Sequence, residues 1–108
     1  MKQYAVKITD EALEDMEQIY GYIANVLQSP GNALSQYKRI ADAISRLDLM
    51  PERFQLMDFI GEDLAGLRRM PVDHFSVFYI IKEDRVIITN VLYSASDIQQ
   101  RLIEKCVK

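Results

Sequence analysis

The feature that most constrains this chain is a change in hydrophobic spacing at Met50-Pro51, near its middle. Before this pair, apolar residues recur at steps of three and four, which is typical of amphipathic helices. After it, short runs rich in β-branched and aromatic residues predict strands. A chain of 108 residues with this arrangement is expected to form a single α+β domain that spans residues 1–108.

An opening strand and two helices are predicted in the first half. QYAVKIT (3–9) has the alternation of a half-buried strand, and Thr9 or Asp10 can cap the helix that follows. The break at Ser29-Pro30-Gly31-Asn32 separates this helix from a second one, so the two form an αα-hairpin. Apolar stripes run through both helices, at Leu13, Met16, Tyr20, Ile23 and Leu27 and then at Leu34, Tyr37, Ile40 or Ala41, Ile44 and Leu47.

Three strands and a final helix are predicted in the second half. The strand segments are LRRMPV (67–72), HFSVFYII (74–81) and RVIITNVLY (85–93), and their short connections favour an antiparallel meander. SASDIQQRLIEKCVK (94–108) returns to helical spacing. The predicted order is therefore β-α-α-β-β-β-α, with the N-terminal helical hairpin on one face of an antiparallel sheet and a C-terminal helix at the end.

Composition and charge limit the classes of function. The net charge of -3 argues against sequence-independent nucleic-acid binding, which relies on a basic surface. No apolar run approaches the roughly 20 residues that span a membrane, so no membrane partner is expected. Cys106 is the only cysteine, which excludes an intrachain disulfide and fits a cytoplasmic protein. Because metal-ligand clusters and glycine-rich phosphate loops are lacking, no metal and no cofactor are expected.

Few side chains are candidates for catalysis. His74 is the only histidine, and a general base needs a partner and a pocket; a structural role in a turn is the alternative. Ser76, Ser94 and Ser96 have no histidine at the spacing of a known motif. A hydrolase triad is therefore not expected.

Arg68 and Arg69 stand side by side in GLRRMPV (66–72). Adjacent side chains on a strand face opposite ways. If the apolar residues of this strand turn toward the helices, Arg68 shares that side and Arg69 points to the open face of the sheet. Two roles stay open for the pair, a salt bridge to Glu62 or Asp63 and an anchor for a phosphate or carboxylate.

In their order, these segments resemble the RelE/ParE superfamily, the toxins of bacterial type II toxin–antitoxin systems, over nearly the whole chain. The resemblance implies two mechanisms. RelE-like members are ribosome-dependent nucleases that cleave mRNA with basic and aromatic side chains on the sheet face, whereas ParE-like members, of the plasmid stabilisation family, poison DNA gyrase. Both are neutralised by a cognate antitoxin. The matching pieces are the opening strand, the helical hairpin, Met50-Pro51-Glu52-Arg53-Phe54, GLRRMPV, HFSVFYII and VLYSASDI.

The sequence departs from the nuclease pattern at three basic positions. Ser76 stands where nuclease members usually carry an arginine, and LYSASD (92–97) replaces their Leu-His-x-Arg-Arg-Asp. Charge stabilisation of phosphoryl chemistry needs preorganised cations, which Ser76, Ala95 and Ser96 do not supply. We therefore predict a ParE-like toxin that acts by binding a target such as DNA gyrase and forms a hetero-oligomer with its antitoxin.

Partner-binding candidates are Arg68, Arg69 and Tyr93. The antitoxin is expected on the outer face of the first helix and on the apolar stripe under the C-terminal helix. Two alternatives stay open. One is a non-toxic binding module of the same fold, and the other is a RelE-like nuclease acting on the ribosome and mRNA through Arg68, Arg69, His74, Tyr79 and Tyr93.

Overall fold

The computed structural model describes residues 2–57 and 66–95. The predicted C-terminal helix, with Cys106, lies outside these residues, as do Glu62, Asp63 and Ser96. As the spacing predicts, the described elements are mainly helical before Met50 and mainly strands after it. They are β1 (Ala5–Ile8), α1 (Asp10–Gly21), a π-helical turn (Tyr22–Val26), α2 (Pro30–Ser45), the 3-10 turns Arg46–Asp48 and Pro51–Arg53, β2 (Gln55–Leu56), β3 (Arg68–Val72), β4 (Phe75–Lys82) and β5 (Arg85–Tyr93).

The described strands form one mixed sheet in the order β1-β5-β4-β3-β2. Strands β2 to β5 pair antiparallel, as the short connections predict. The sheet differs from the prediction at its two edges, where β2 is an additional two-residue strand and β1 lies parallel to β5. A parallel neighbour needs a long connection, and the helical hairpin with the strands after it provides one between β1 and β5.

The helical hairpin packs on one face of the sheet and encloses the main core. Thr9 begins α1 because its hydroxyl accepts a hydrogen bond from the Ala12 amide at 3.2 Å and donates one to the Ile88 carbonyl at 2.8 Å. This cap ties the helix to the neighbouring strand at its first turn. The buried core residues are Ala12, Met16, Ile40, Ile44 and Leu47 from the helical half and Met70, Val77, Tyr79, Val86, Ile88 and Val91 from the sheet.

The buried face of α1 is rotated from the predicted apolar stripe. Met16 is buried as expected, but Leu13 and Leu27 are 40% and 56% exposed. Asp15 is buried instead, because its Oδ2 accepts a hydrogen bond from the Val91 backbone amide at 3.0 Å. A carboxylate with such a partner can enter an interface where an unpaired one cannot, so the buried face of α1 includes Asp15 beside Met16 and is shifted from the predicted stripe.

Candidate functional site

Arg68 and Tyr79 lie on the helix side of the sheet and bind the backbone of the turn before β2. Arg68 Nη1 donates hydrogen bonds to the carbonyls of Glu52 and Phe54 at 3.0 and 2.8 Å. The Tyr79 hydroxyl donates to the Pro51 carbonyl at 2.6 Å. Burial raises the pKa of Tyr79 to about 12. Both side chains are therefore engaged inside the protein, and the fully buried Tyr79 ring cannot stack on a base.

Arg69 lies on the opposite, open face of the sheet, so the adjacent arginines point apart as the sequence predicts. Its Nε donates to the Ser76 hydroxyl at 2.8 Å, and the hydroxyls of Ser76 and Ser94 are 2.8 Å apart. On the same face, the buried amide nitrogen of Asn90 has no hydrogen-bond partner among the described residues. Within residues 2–57 and 66–95, the hydrogen-bond partner of the Arg69 guanidinium is thus a hydroxyl.

His74 and Tyr93 lie at a third place, the end of the β4–β5 pair. His74 is exposed in the turn between β3 and β4, and its carbonyl accepts a hydrogen bond from the Ser94 amide at 2.8 Å. Tyr93 is 51% exposed, and its ring meets the edge of Phe75 with centroids 5.8 Å apart. The structure therefore brings His74 close to Tyr93 but keeps both apart from the two arginines.

The Asp73 carboxylate makes its hydrogen bonds with α2, and the adjacent His74 contributes only the smallest part of the lowering of the Asp73 pKa. This carboxylate accepts hydrogen bonds from Arg39 Nε at 2.8 Å and from the Gln36 amide at 3.1 Å. The hydrogen bond from Arg39 is the main reason that the pKa of Asp73 lies below its usual value. This contact joins α2 to the β3–β4 turn, so Asp73 has a structural role. Its backbone is left-handed, with a φ angle of 55°.

The described residues form a groove of about 880 Å³, which we call the hairpin groove. It lies between the helical hairpin and the β4–β5 end of the sheet. Polar side chains, including Gln18, Gln36 and His74, stand among its apolar residues. The apolar lining residues are Ile19, Tyr22, Ile23 and Leu27 from the helical side and Phe75, Val91, Leu92 and Tyr93 from the sheet.

The π-helical turn exposes apolar side chains at the mouth of this groove. Tyr22, Val26 and Leu27 are 56%, 65% and 56% exposed, and none of the five residues of the turn is buried. A π-turn widens the helix and shifts the direction of the side chains that follow it. A single apolar stripe does not predict this site, because the apolar residues surround the helix near its end.

A smaller cavity of about 420 Å³ lies between α2 and β3. Arg53 covers one side, with its guanidinium 4.7 Å from the centre of the Phe54 ring and Nη1 bonded to the carbonyl of Leu49 at 2.6 Å. Arg39 and Asp73 form an ion pair on the other side. The charges of this cavity are therefore mixed and largely occupied by contacts within the protein.

Within residues 2–57 and 66–95, no three His, Cys, Asp or Glu side chains are grouped so that they could hold a metal ion. No helix in the same ranges is long and apolar enough to cross a membrane.

Comparisons with known proteins place these features in context. The family model for the ParE toxin of type II toxin–antitoxin systems (parDE) matches residues 6–98. The fold is similar to the chromosomal ParDE system of P. aeruginosa, with a TM-score of 0.71, 20% identity and coverage of 84% of this chain and 96% of that chain. It is also similar to a free mutant of E. coli RelE, with a TM-score of 0.63, 9% identity and coverage of 98% and 99%.

A third similar structure is the toxin–antitoxin complex RelBE2 of Mycobacterium tuberculosis, with a TM-score of 0.58, 20% identity and coverage of 89% of this chain and 97% of that chain. At these identities the three likenesses concern the fold alone. No curated protein sequence matches this chain.

Proposed function

Because this chain belongs to the ParE toxin family of type II toxin–antitoxin systems, we propose that it acts by binding and inhibiting a protein target, DNA gyrase, and not by cleaving RNA. The matched residues 6–98 include both helices and nearly all of the described sheet. A cognate antitoxin neutralises the toxin in a hetero-oligomer within the cytoplasm. The toxin–antitoxin complexes among the similar structures support this part of the proposal.

The separation of the five nuclease candidates is the observation that carries the choice of binding over chemistry. Arg68 and Tyr79 bind backbone carbonyls on the helix side, and Arg69 lies on the open face. His74 and Tyr93 line the hairpin groove. A nuclease site needs acid, base and cationic groups directed at one phosphate, so their distribution over three places favours a protein-binding function.

The hairpin groove is the surface that we assign to the antitoxin. Exposed apolar surface next to a groove is typical of protein–protein contacts, and amphipathic segments commonly dock in such grooves. Tyr93 remains a partner-binding candidate because about half of its side chain is exposed at the groove. Arg69 remains a candidate on the opposite face, whereas the contacts of Arg68 favour a structural role.

Expression without the antitoxin tests the proposed function. We expect growth arrest, induction of the DNA damage response and loss of gyrase supercoiling by the purified protein, with ribosome-bound transcripts left intact. A matched culture expresses the chain together with the antitoxin that an adjacent reading frame would encode, and it should grow normally. Cleavage of ribosome-bound transcripts, without any effect on gyrase, would contradict the proposal.

A RelE-like nuclease is the second candidate, and one observation favours it. The Arg69 guanidinium lies beside the hydroxyls of Ser76 and Ser94 on the open face, where a phosphate could approach. This candidate predicts transcript cleavage that Arg69→Ala abolishes and Arg85→Ala, at the far end of β5, retains. A non-toxic binding module, the remaining alternative, predicts no growth defect and unchanged binding of the antitoxin.

A further inference from the structure

The cavity of about 420 Å³ between α2 and β3 is lined by three arginines. Arg39 lies on α2 and Arg46 at its C-terminal end, seven residues apart, which is two helical turns and places them on the same face. Arg53 belongs to the 3-10 turn that follows Pro51. The chain as a whole has a net charge of -3, so this group of guanidinium side chains differs from the acidic balance of the protein.

Arg53 is fixed in position by the backbone beside it. Its Nη1 donates hydrogen bonds to the carbonyls of Leu49 and Met50 at 2.6 and 3.0 Å, and its guanidinium carbon lies 4.7 Å from the centre of the Phe54 ring. Its remaining N–H groups, on Nε and Nη2, have no acceptor among the described residues. Because the planar guanidinium is already oriented, it loses less entropy when these groups bind an anion.

Arg46 differs from the other two arginines in its contacts. Within residues 2–57 and 66–95, its guanidinium has no hydrogen-bond or ion-pair partner. Arg39, in contrast, forms an ion pair with Asp73 at 2.8 Å, so the charges of these two side chains offset each other. Arg46 and Arg53 are therefore the two guanidinium groups of this cavity whose charge no carboxylate of the described residues pairs.

One carboxylate opposes these two arginines. Asp42 also lines the cavity and precedes Arg46 by four positions, which places it on the same face of the helix. With the Arg39–Asp73 pair offset, the lining carries the positive charges of Arg46 and Arg53 and the negative charge of Asp42. The local charge is therefore positive, and a concave site with this charge concentrates anions.

The rest of the lining is apolar. A cavity of about 420 Å³ lies within the range of small-molecule sites, which is about 300–1,000 Å³, and such sites combine apolar walls with a few polar groups. Anion-binding groups and an apolar wall thus lie in the same cavity. The apolar lining residues are Ala43, Phe54, Met70, Pro71 and Val72.

We propose that this cavity binds a small organic phosphate monoester, with its phosphoryl oxygens on Arg46 and Arg53 and its apolar part against Phe54 and Val72. A phosphate monoester carries between one and two negative charges near neutral pH, so it matches two arginines better than a single carboxylate does. Guanidinium groups also bind phosphate oxygens in pairs. The inference goes beyond the proposed function, and the cavity shares no lining residue with the hairpin groove.

Titration of the purified full-length chain with phenyl phosphate tests the inference, and the chemical shifts of the backbone amides in NMR spectra report the binding. We expect saturable changes at Arg46, Phe54 and Val72. Phenol lacks the charge and benzoate carries only one, so both should bind at least about tenfold more weakly, equal to about 1.4 kcal/mol. Inorganic phosphate should bind at the same residues but more weakly than phenyl phosphate, because it lacks the apolar part.

Charge substitutions assign the binding to this cavity. Arg46→Gln should weaken the binding of phenyl phosphate about tenfold, because it removes a charged donor that has no structural contact among the described residues. Arg85→Gln, at an exposed arginine where β5 begins, is the control and should leave the affinity unchanged.

The opposing carboxylate provides a test of the opposite sign. Asp42→Asn removes the negative charge from the lining and should tighten the binding of phenyl phosphate about twofold to threefold, as expected for an exposed charge. Asp84→Asn, in the exposed turn between β4 and β5, is its control. Circular dichroism verifies that each variant is folded.

Several outcomes would overturn the inference. They are equal affinity for phenyl phosphate and phenol, shift changes outside the cavity only, and an affinity that Arg46→Gln leaves unchanged. Tighter binding of a peptide of four glutamates than of phenyl phosphate would also overturn it, in favour of an acidic protein partner. Because the titration requires neither gyrase nor an antitoxin, its result is independent of whether expression of the chain arrests growth.

Discussion

Arg68 and Tyr79 lie opposite each other on β3 and β4, and both donate hydrogen bonds to backbone carbonyls in the segment from Pro51 to Phe54. This pair fastens the chain where it passes from the helices into the sheet. Two side chains that by residue type suggest chemistry thus support the fold. The adjacent Arg69 is free of this task because it points to the other face.

Substitution of the two arginines should have unequal effects on stability. Arg68→Ala removes charged donors to two carbonyls, and we expect it to lower the free energy of unfolding by about 1–3 kcal/mol. Arg69→Ala removes one bond to a hydroxyl on the open face and should change the free energy by less than about 1 kcal/mol. Urea denaturation measures both. Equal losses of unfolding free energy in the two variants would contradict the stabilising role assigned to the Arg68 hydrogen bonds.

Removal of the Tyr79 hydroxyl should destabilise the protein near neutral pH. Tyr79→Phe leaves the Pro51 carbonyl without this donor, and the expected loss is about 1–2 kcal/mol in the free energy of unfolding. Tyr22→Phe, at an exposed tyrosine, is the control and should change little. A neutral effect of Tyr79→Phe would mean that another donor satisfies the carbonyl.

The same residue should produce a decline in stability at high pH. Burial raises the pKa of Tyr79 from 10.0 to about 12, so the folded state retains its proton where the unfolded state loses it. The stabilisation is complete below pH 10 and is lost between about pH 10 and 12. Urea titrations over this interval should show a steeper decline for the native sequence than for Tyr79→Phe.

The Asp73 contact with Arg39 should contribute to stability above the acidic range. The pKa of Asp73 is lowered, chiefly by the Arg39 hydrogen bond. Its contribution is therefore present above the ordinary carboxyl pKa of 3.8 and is lost as the pH falls through the lowered value. Because the pair is exposed, we expect an effect below about 1 kcal/mol.

Asp73→Asn provides the matched variant, since asparagine tolerates the left-handed backbone at this position. It should reduce the dependence of stability on pH in acid and leave the fold intact. An NMR titration of the Asp73 carboxyl provides the direct measurement. A pKa at or above the ordinary value would contradict the contact.

The apolar tip of the helical hairpin should limit the solubility of the free chain. Val26→Ser/Leu27→Ser removes two largely exposed apolar side chains, so we expect higher solubility, less self-association and a nearly unchanged free energy of unfolding. Leu47→Ser, at a buried leucine, should instead destabilise the fold. Sedimentation and urea denaturation distinguish the two effects. Unchanged solubility of the tip variant would contradict an open docking surface.

Local patterns in the sequence predicted many of the elements. The apolar run rich in β-branched residues predicted a strand at residues 85–93, which are the bounds of β5, and Thr9 was one of two predicted caps. The period of two also predicted that Arg68 and Arg69 would face opposite sides. These features depend on neighbouring residues, so a single sequence contains the information for them.

Features that depend on distant residues were not predictable in this way. The parallel pairing of β1 with β5 joins the two ends of the described chain. The buried face of α1 depends on Asp15, whose burial requires the Val91 amide on another element. Hydrophobic spacing ranks a carboxylate as a surface residue and cannot include a partner supplied by the tertiary structure.

The sequence by itself determined that this protein has a helical hairpin followed by a small sheet, that it resembles the RelE/ParE toxins and that it lacks three basic positions of their nucleases. Only the tertiary structure decided that Arg68 and Tyr79 hold a turn and that a largely apolar groove opens beside α1. Residue type and spacing set local conformation, whereas accessibility and hydrogen-bond partners depend on which distant segments pack together.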